Sequence, residues 1–144
     1  MIDAPQIARL LGGERTLKRT VTTVDELREA VELGLPVASL RRVVRRVAGG
    51  ASEEAELTNR LVPRTTLQRR KQRLSPRESE HLERLARMTA LAEHVWEDAE
   101  HAHEFLTSSQ PQLGGRRPVD LASSDLGTRQ VEELLMKIEH ALPV

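Results

Sequence analysis

Residues 52–78 have the sequence SEEAELTNRLVPRTTLQRRKQRLSPRE, and this stretch decides the predicted fold. Ser52 is predicted to cap a short helix that ends near residue 61. Pro63 suits the first turn of a second helix, residues 64–72, in which Leu67 is the only large apolar side chain. Two short helices with a tight turn between them, the second one polar and basic, are typical of a helix-turn-helix whose second helix enters the DNA major groove.

The side chains of the second helix suit DNA recognition. Its first turn would face the base edges, where Arg64 and Gln68 can make bidentate hydrogen bonds to guanine or adenine. The basic residues further along the chain suit phosphates, which position a protein on DNA without specifying a sequence. The predicted DNA-binding residues are therefore Arg64, Thr65, Thr66, Gln68, Arg69, Arg70, Lys71 and Arg73.

The charge is unevenly distributed, although the formal net charge of the chain is zero. Residues 1–79 contain 16 Lys and Arg against 10 Asp and Glu, and residues 80–144 contain 6 against 12. Residues 60–77 hold seven basic residues and no acidic one, an excess that neutralises phosphates. A solvated face would show the same excess, so the charge favours DNA binding because it coincides with the helix-turn-helix pattern. RNA is a weaker alternative, since this stretch has no aromatic residue for base stacking.

Helical periodicity extends outward in both directions, and no segment shows the period-2 alternation of strands. Capping-box spacing at Thr23–Glu26 precedes a helix that Gly34 and Pro36 end. Residues 37–48 predict an amphipathic helix with arginines opposite an apolar face. The clearest helix start is SPRE at 75–78, which combines an N-cap, a Pro in the first turn and a Glu at the third position. The predicted fold class is therefore all-α.

The two ends of the chain carry weaker signals. The first 20 residues have little periodicity and a break at Gly12–Gly13, which predict a short amphipathic or frayed segment followed by a linker. Residues 112–121 predict a loop with Gly and Pro, and residues 125–127 a further turn. A last helix is indicated by apolar residues at helical spacing, namely Val131, Leu134, Leu135 and Ile138.

Length and composition exclude several classes of protein. A chain of 144 residues is one ordinary domain or two small helical modules. The lack of Cys excludes a disulfide framework, a thiol nucleophile and a Cys-ligated zinc site. The first residues lack a signal-peptide pattern, and no segment approaches about 18 apolar residues. We therefore expect a cytoplasmic protein with no membrane partner.

No constellation of residues predicts catalysis, a cofactor or a metal. The five histidines lack carboxylate or histidine neighbours at recurring metal-site spacings, which favours solvated or interface roles. Residues 123–125 (SSD) have no nucleophile elbow or oxyanion loop beside them, so helix capping explains them better. Residues 114–117 (GGRR) lack the Walker lysine and indicate a turn. We predict a protein that is not an enzyme.

Three stretches of the sequence share motifs with one known family. Residues 61–70 (LVPRTTLQRR) contain an Arg-x-Thr-Leu-x-Arg-Arg core, and residues 74–87 (LSPRESEHLERLAR) begin a long helix. Residues 102–142 combine Phe105-Leu106, where the family usually has Trp-Leu, with LGGRRPVDL at 113–121. Together these stretches resemble the Xre/MbcA/ParS family of antitoxins.

The resemblance implies an Xre/Cro-like helix-turn-helix module, which represses its own operon, followed by a small helical toxin-binding module. The implied domains are an N-terminal segment of unclear order (1–22), the DNA-binding module (23–76) and the toxin-binding module (77–144), with one helix shared at the boundary. The implied partner is a RES-type, NAD-degrading toxin whose active-site cleft the antitoxin covers without supplying chemistry. The implied toxin-binding residues are Gly115, Arg116, Arg117, Pro118, His140, Ala141, Leu142, Pro143 and Val144.

The expected assembly is a homodimer on operator DNA, because helix-turn-helix proteins commonly bind two related half-sites, and a higher complex with the toxin. Two other interpretations stay open at this point. The chain could be a stand-alone transcription regulator whose C-terminal module dimerises or senses a ligand. It could also be a protein-binding scaffold with a degenerate helix-turn-helix.

Overall fold

The computed structural model describes residues 2–141 and builds them from helices. Within this range it contains no β-strand, only two isolated backbone bridges, Pro36 with Arg73 and Gln110 with Arg116. The predicted all-α fold class is confirmed. The helices are α1 (Ala4–Leu10), α2 (Gly13–Leu17), α3 (Val24–Leu33), α4 (Val37–Val47), α5 (Ala51–Leu61), α6 (Arg64–Arg69), α7 (Pro76–Trp96), α8 (Ala99–Thr107), a short 3-10 helix (Pro111–Leu113), α9 (Pro118–Leu121) and α10 (Asp125–Ala141).

The long helix α7 is the element around which the others pack. It begins with the predicted capping box, in which the Ser75 hydroxyl accepts the Glu78 N–H at 3.1 Å and the Glu78 carboxylate accepts the Ser75 N–H at 2.8 Å. It contacts α1, α3, α4, α5, α8 and α10. No helix within residues 2–141, α7 included, is long and apolar enough to cross a membrane. The side chains that α7 buries are Ser79, Leu82, Leu85, Ala86, Met88, Thr89, Ala92 and Val95.

Helices α3 and α4 follow the predicted pattern. The Thr23 hydroxyl accepts the Glu26 N–H at 3.1 Å, and the Glu26 carboxylate accepts the Thr23 N–H at 3.1 Å, so the capping box that begins α3 is confirmed. In α4 the apolar face is buried and the arginines lie opposite to it. The buried apolar residues of α4 are Leu40, Val43, Val44 and Val47.

Of the two alternatives predicted for the N-terminal segment, the short amphipathic one is confirmed, while the frayed segment and the linker are wrong. Asp3 and Gln6 form a capping box at the start of α1, and the break at Gly12–Gly13 joins α1 to α2. The Leu11 side chain is fully buried, and its carbonyl accepts a hydrogen bond from the buried Ser39 hydroxyl at 2.6 Å. Helices α1 and α2 therefore pack on the core, to which residues 4–17 contribute Ala4, Ile7, Ala8, Leu11 and Leu17.

Three local predictions also need correction. Helix α5 begins at Ala51 after Gly50 and has no side-chain cap, so Ser52 is not the N-cap. The predicted loop at 112–121 contains helix α9 and most of the 3-10 helix. Residues 125–127 belong to the first turn of α10. Gly127 lies so close to α9 that a Cβ on it would be 2.4 Å from the Leu121 carbonyl oxygen. The glycine there permits close packing.

The chain that enters α4 is held against the chain that leaves α6. The Leu74 N–H donates to the Leu35 carbonyl at 2.8 Å, and the Leu35 N–H donates to the buried Ser79 hydroxyl at 2.7 Å. Gly34 has a φ of +98°, and a Cβ on it would lie 2.3 Å from the Leu74 carbonyl oxygen. Glycine is required here both by the backbone conformation and by the close approach.

We expect Gly34→Ala to lower the free energy of unfolding by about 2–4 kcal/mol, because it combines a strained backbone with a steric clash. Gly50→Ala is the matched control, since Gly50 has an extended φ of 174° and nothing lies near its added Cβ. The control should change stability by about 1 kcal/mol or less. Urea unfolding followed by circular dichroism measures both, and equal effects would refute the assigned role of Gly34.

The burial of Leu11 gives a second test. Leu11→Ala should lower the free energy of unfolding by about 2–5 kcal/mol, as for other fully buried leucines. Leu10→Ala, at a partly buried neighbouring position, should cost clearly less. If both variants unfold at the urea concentration of the wild type, residues 4–17 do not belong to the core.

Candidate DNA-binding helix and partner-binding turn

The turn between α5 and α6 is formed without glycine, which such turns often contain. Val62 adopts an extended conformation, with φ −141° and ψ 115°, and its side chain is fully buried. The Asn59 side-chain oxygen accepts the Arg64 N–H at 3.0 Å and so satisfies the first free amide of α6. An apolar anchor and an asparagine side chain therefore fix the position of α6.

Helix α6 presents most of its side chains to solvent. Thr66 and Leu67 are half-buried, and Leu67 packs against the core. The remaining surface is polar and basic, as the sequence predicts for a helix that lies in a groove of DNA. The exposed residues are Arg64, Thr65, Gln68 and Arg69.

The predicted helix 64–72 ends earlier, at Arg69. Arg70 leaves the helix with ψ 115°, and its guanidinium donates to both carboxylate oxygens of Glu78, at 3.0 and 3.1 Å. Burial raises the pKa of Glu78, but the hydrogen bonds from Arg70 and Ser75 outweigh it and hold the pKa below its ordinary value. The ionised carboxylate therefore stabilises the fold at neutral pH, and this contribution is lost as the pH falls.

The predicted phosphate contacts thus differ in their surroundings. The Arg73 guanidinium donates to the Gly34 carbonyl at 2.9 Å, so Arg73, like Arg70, links the chain after α6 to the rest of the fold. Arg69 and Lys71 are exposed. The sequence predicts all four residues as equivalent phosphate contacts. It cannot separate them, because the partners of Arg70 and Arg73 lie on other elements.

A tight turn follows α8 and exposes two of the predicted toxin-binding residues. The Gln110 N–H donates to the Arg116 carbonyl at 3.1 Å, and the Gly115 N–H donates to the Gln110 carbonyl at 2.9 Å. The Ser109 hydroxyl donates to the Gly115 carbonyl at 2.5 Å. Gly115 and Arg116 lie at the surface.

Arg117 is instead bound within the protein. Its guanidinium donates to both carboxylate oxygens of Asp120, at 2.9 and 3.0 Å, and lies 3.0 Å from the Glu56 carboxylate. Hydrogen bonding to Asp120 raises the pKa of Arg117 above its ordinary value. Asp120 also pairs with Arg60 at 3.1 Å. These ion pairs connect α5 to α9, and sequence analysis missed Glu56, Arg60 and Asp120 because the partners are far apart in the chain.

The other predicted toxin-binding residues divide into three groups. Pro118 is buried at the start of α9. His140 and Ala141 are exposed at the end of α10. The predictions for Leu142, Pro143 and Val144 fall outside the residues that the structure describes.

Three of the five histidines have partners in the protein. Burial, with a further contribution from Arg84, lowers the pKa of His81 to about 4. Across residues 2–141, no group of three His, Asp or Glu side chains is arranged to hold a metal ion. The paired histidines are His94 with the Glu139 carboxylate, His101 with the Asp98 carboxylate and His103 with the Val47 carbonyl.

Comparison with known proteins identifies both halves of the chain. Residues 26–87 match the model of the antitoxin Xre-like helix-turn-helix domain, and residues 91–141 match that of the antitoxin Xre/MbcA/ParS C-terminal toxin-binding domain. A protein of Pseudomonas putida named antitoxin Xre is 35% identical over 83 residues, which are 56% of this chain and 52% of that protein. The match thus spans about half the length of this relative.

The two matched regions follow one another along the chain, and α7 runs through the junction between them. The first contains α5 and α6, and the second contains the turn at Gly115 and helix α10. Because both regions match domains of the same family in this order, the chain belongs to the Xre/MbcA/ParS family of antitoxins.

Proposed function

We propose that this chain is the antitoxin of a type II toxin–antitoxin pair and represses its own operon. The proposal rests on one apolar core that runs through two regions of the chain. The first region contains a helix-turn-helix with an exposed basic helix, and the second matches a toxin-binding domain. We assign DNA binding to residues 23–76 and toxin binding to residues 77–144. The antitoxin supplies binding surfaces and no catalysis.

In the proposed DNA complex, α6 lies in the major groove. Arg64, Thr65, Thr66 and Gln68 face the base edges, where the guanidinium and amide groups make sequence-specific hydrogen bonds. Arg69 and Lys71 contact phosphates, while Arg70 and Arg73 position the chain that follows α6. The protein acts as a homodimer because two copies of α6 can then bind two half-sites about one helical turn apart.

The proposed toxin is a RES-type enzyme that degrades NAD. The antitoxin blocks its active-site cleft sterically, with the turn at Gly115–Arg116 and the end of the chain from His140 to Val144. The acidic balance of residues 80–144 supports this, since a cleft that binds the phosphates of NAD is expected to be basic. Arg117 and Pro118 support the turn from inside the protein.

The pairing is tested by growth and intracellular NAD in cells that express the adjacent reading frame with and without this chain. The expected result is NAD loss and growth arrest from the neighbour alone, with both reversed by co-expression. A harmless neighbour, or one that stays harmful in the presence of this chain, would contradict the antitoxin function and favour a stand-alone transcription regulator.

Substitutions on and beside α6 should separate base recognition from phosphate binding. We expect Arg64→Ala to weaken operator binding by about 1–3 kcal/mol and to relax specificity at one base position. Lys71→Ala should weaken binding about equally for all sequences and reduce the salt slope by about 1. Fluorescence anisotropy with operator and mutated duplexes measures both effects, and identical specificity profiles for the two variants would argue against α6 as the recognition helix.

Toxin inhibition should depend on the exposed turn and the end of the chain. We expect Arg116→Ala and deletion of residues 142–144 each to raise the antitoxin concentration needed for half-inhibition of NAD hydrolysis. Arg129→Ala is a control, since Arg129 is exposed on α10 outside these regions. Full inhibition by both the substitution and the deletion would exclude the proposed steric blockade.

A further inference from the structure

Helix α4 carries a second basic surface that is separate from α6. Of the arginines opposite its apolar face, Arg46 donates to both carboxylate oxygens of Glu93, at 2.8 Å each. Arg41, Arg42 and Arg45 are exposed and have no ion-pair partner within residues 2–141. Three guanidinium groups on one helix face are therefore available to a ligand.

These arginines surround a depression rather than project from a flat surface. It has a volume of about 520 Å³, and its side chains come from α4 and α1. Ala38 also lines it, and Arg9 of α1, which is exposed and has no ion-pair partner among the described residues, adds a fourth guanidinium. No acidic residue lines the depression.

A second depression, which shares Ala38 with the first, lies beside the chain that leaves α6. It has a volume of about 370 Å³, and Lys18, Lys71 and Arg73 contribute to it. This second depression has no acidic lining residue either. We call the two together the basic band; it extends from the chain after α6, across the start of α4, to Arg9.

The spacing of the charges on α4 identifies the kind of ligand. Arg41 and Arg45 are one helical turn apart, about 5–6 Å between Cβ atoms, and two like charges at this spacing destabilise an isolated helix. A row of such charges without acidic neighbours matches a polyanion with regularly repeated charges. Double-stranded DNA has one negative charge about every 1.7 Å along its axis. Single-stranded nucleic acid fits less well, because the band contains no aromatic side chain for base stacking.

We propose that the α4 arginines bind the phosphate backbone of the same DNA duplex that α6 enters, so that the DNA interface extends along the basic band to Arg9. The inference rests on the proposed DNA binding by α6. Backbone contacts carry no sequence information, so this surface adds affinity and fixes orientation while α6 selects the sequence.

The test is a variant with Arg41→Gln, Arg42→Gln and Arg45→Gln, measured by fluorescence anisotropy on a labelled duplex from upstream of the gene. Each lost phosphate contact lowers the slope of log K against log salt by about 0.9, so the slope should fall by about 2 to 3. Affinity at about 50 mM salt should fall at least about tenfold. The preference for the upstream duplex over a scrambled duplex should stay unchanged.

The control variant, Arg28→Gln, Arg129→Gln and Lys137→Gln, removes the same charge from exposed positions on α3 and α10. It should bind DNA with nearly the wild-type slope, and circular dichroism should show that both variants fold. Equal slopes for the two triple variants would overturn the inference while leaving the function of α6 intact. Loss of toxin binding with unchanged DNA binding would also overturn it. Failure of the wild type to bind any duplex would instead refute the proposed function.

Discussion

The arrangement of the other elements depends on the hydrogen bonds that the Glu78 carboxylate accepts. It accepts the Ser75 N–H and completes the cap of α7, and it accepts two hydrogen bonds from Arg70 and fixes the chain that leaves α6. Charge-assisted hydrogen bonds of this kind are about twice as strong as neutral ones. The next residue, Ser79, binds the Leu35 N–H and so positions the entry to α4. Two adjacent side chains therefore relate α4, α6 and α7.

The sequence predicts a helix correctly wherever the residues that form its cap or its buried face lie within one or two helical turns of each other. The capping boxes at Thr23 and Ser75 and the apolar spacing of α4, α7 and α10 predict those helices correctly, because a cap and a buried face depend on residues three or four positions apart. The same rule accounts for α1, since Asp3 and Gln6 form a capping box with Asp and Gln in place of Ser and Glu. The weak apolar periodicity of this short helix concealed it.

The features that were missed depend on distant partners. Helix α6 ends where Arg70 pairs with Glu78, and no pattern within residues 64–72 shows that pair. Arg117 lies in a stretch predicted to be an exposed turn, yet it is held by the nearby Asp120 and also by Glu56, which lies about 60 residues earlier. The arginines of α4 are a different case, since the sequence correctly predicts them on the polar face of an amphipathic helix. They become part of a continuous surface because α1 packs beside that face and the chain after α6 packs beside the start of α4.

The ion pairs between α5 and α9 constrain how the two halves of the chain move relative to each other. Arg60 pairs with Asp120, and Glu56 pairs with Arg117, next to the exposed turn at Gly115. One partner of each pair, Arg60 or Glu56, is about half exposed, so each pair contributes about 1 kcal/mol or less and orients α9 against α5 without holding the halves together. The apolar cluster that runs through both halves provides the cohesion. Pro118 and Val119 of α9 are buried in this core, so apolar contacts hold α9 in place while the ion pairs set its orientation.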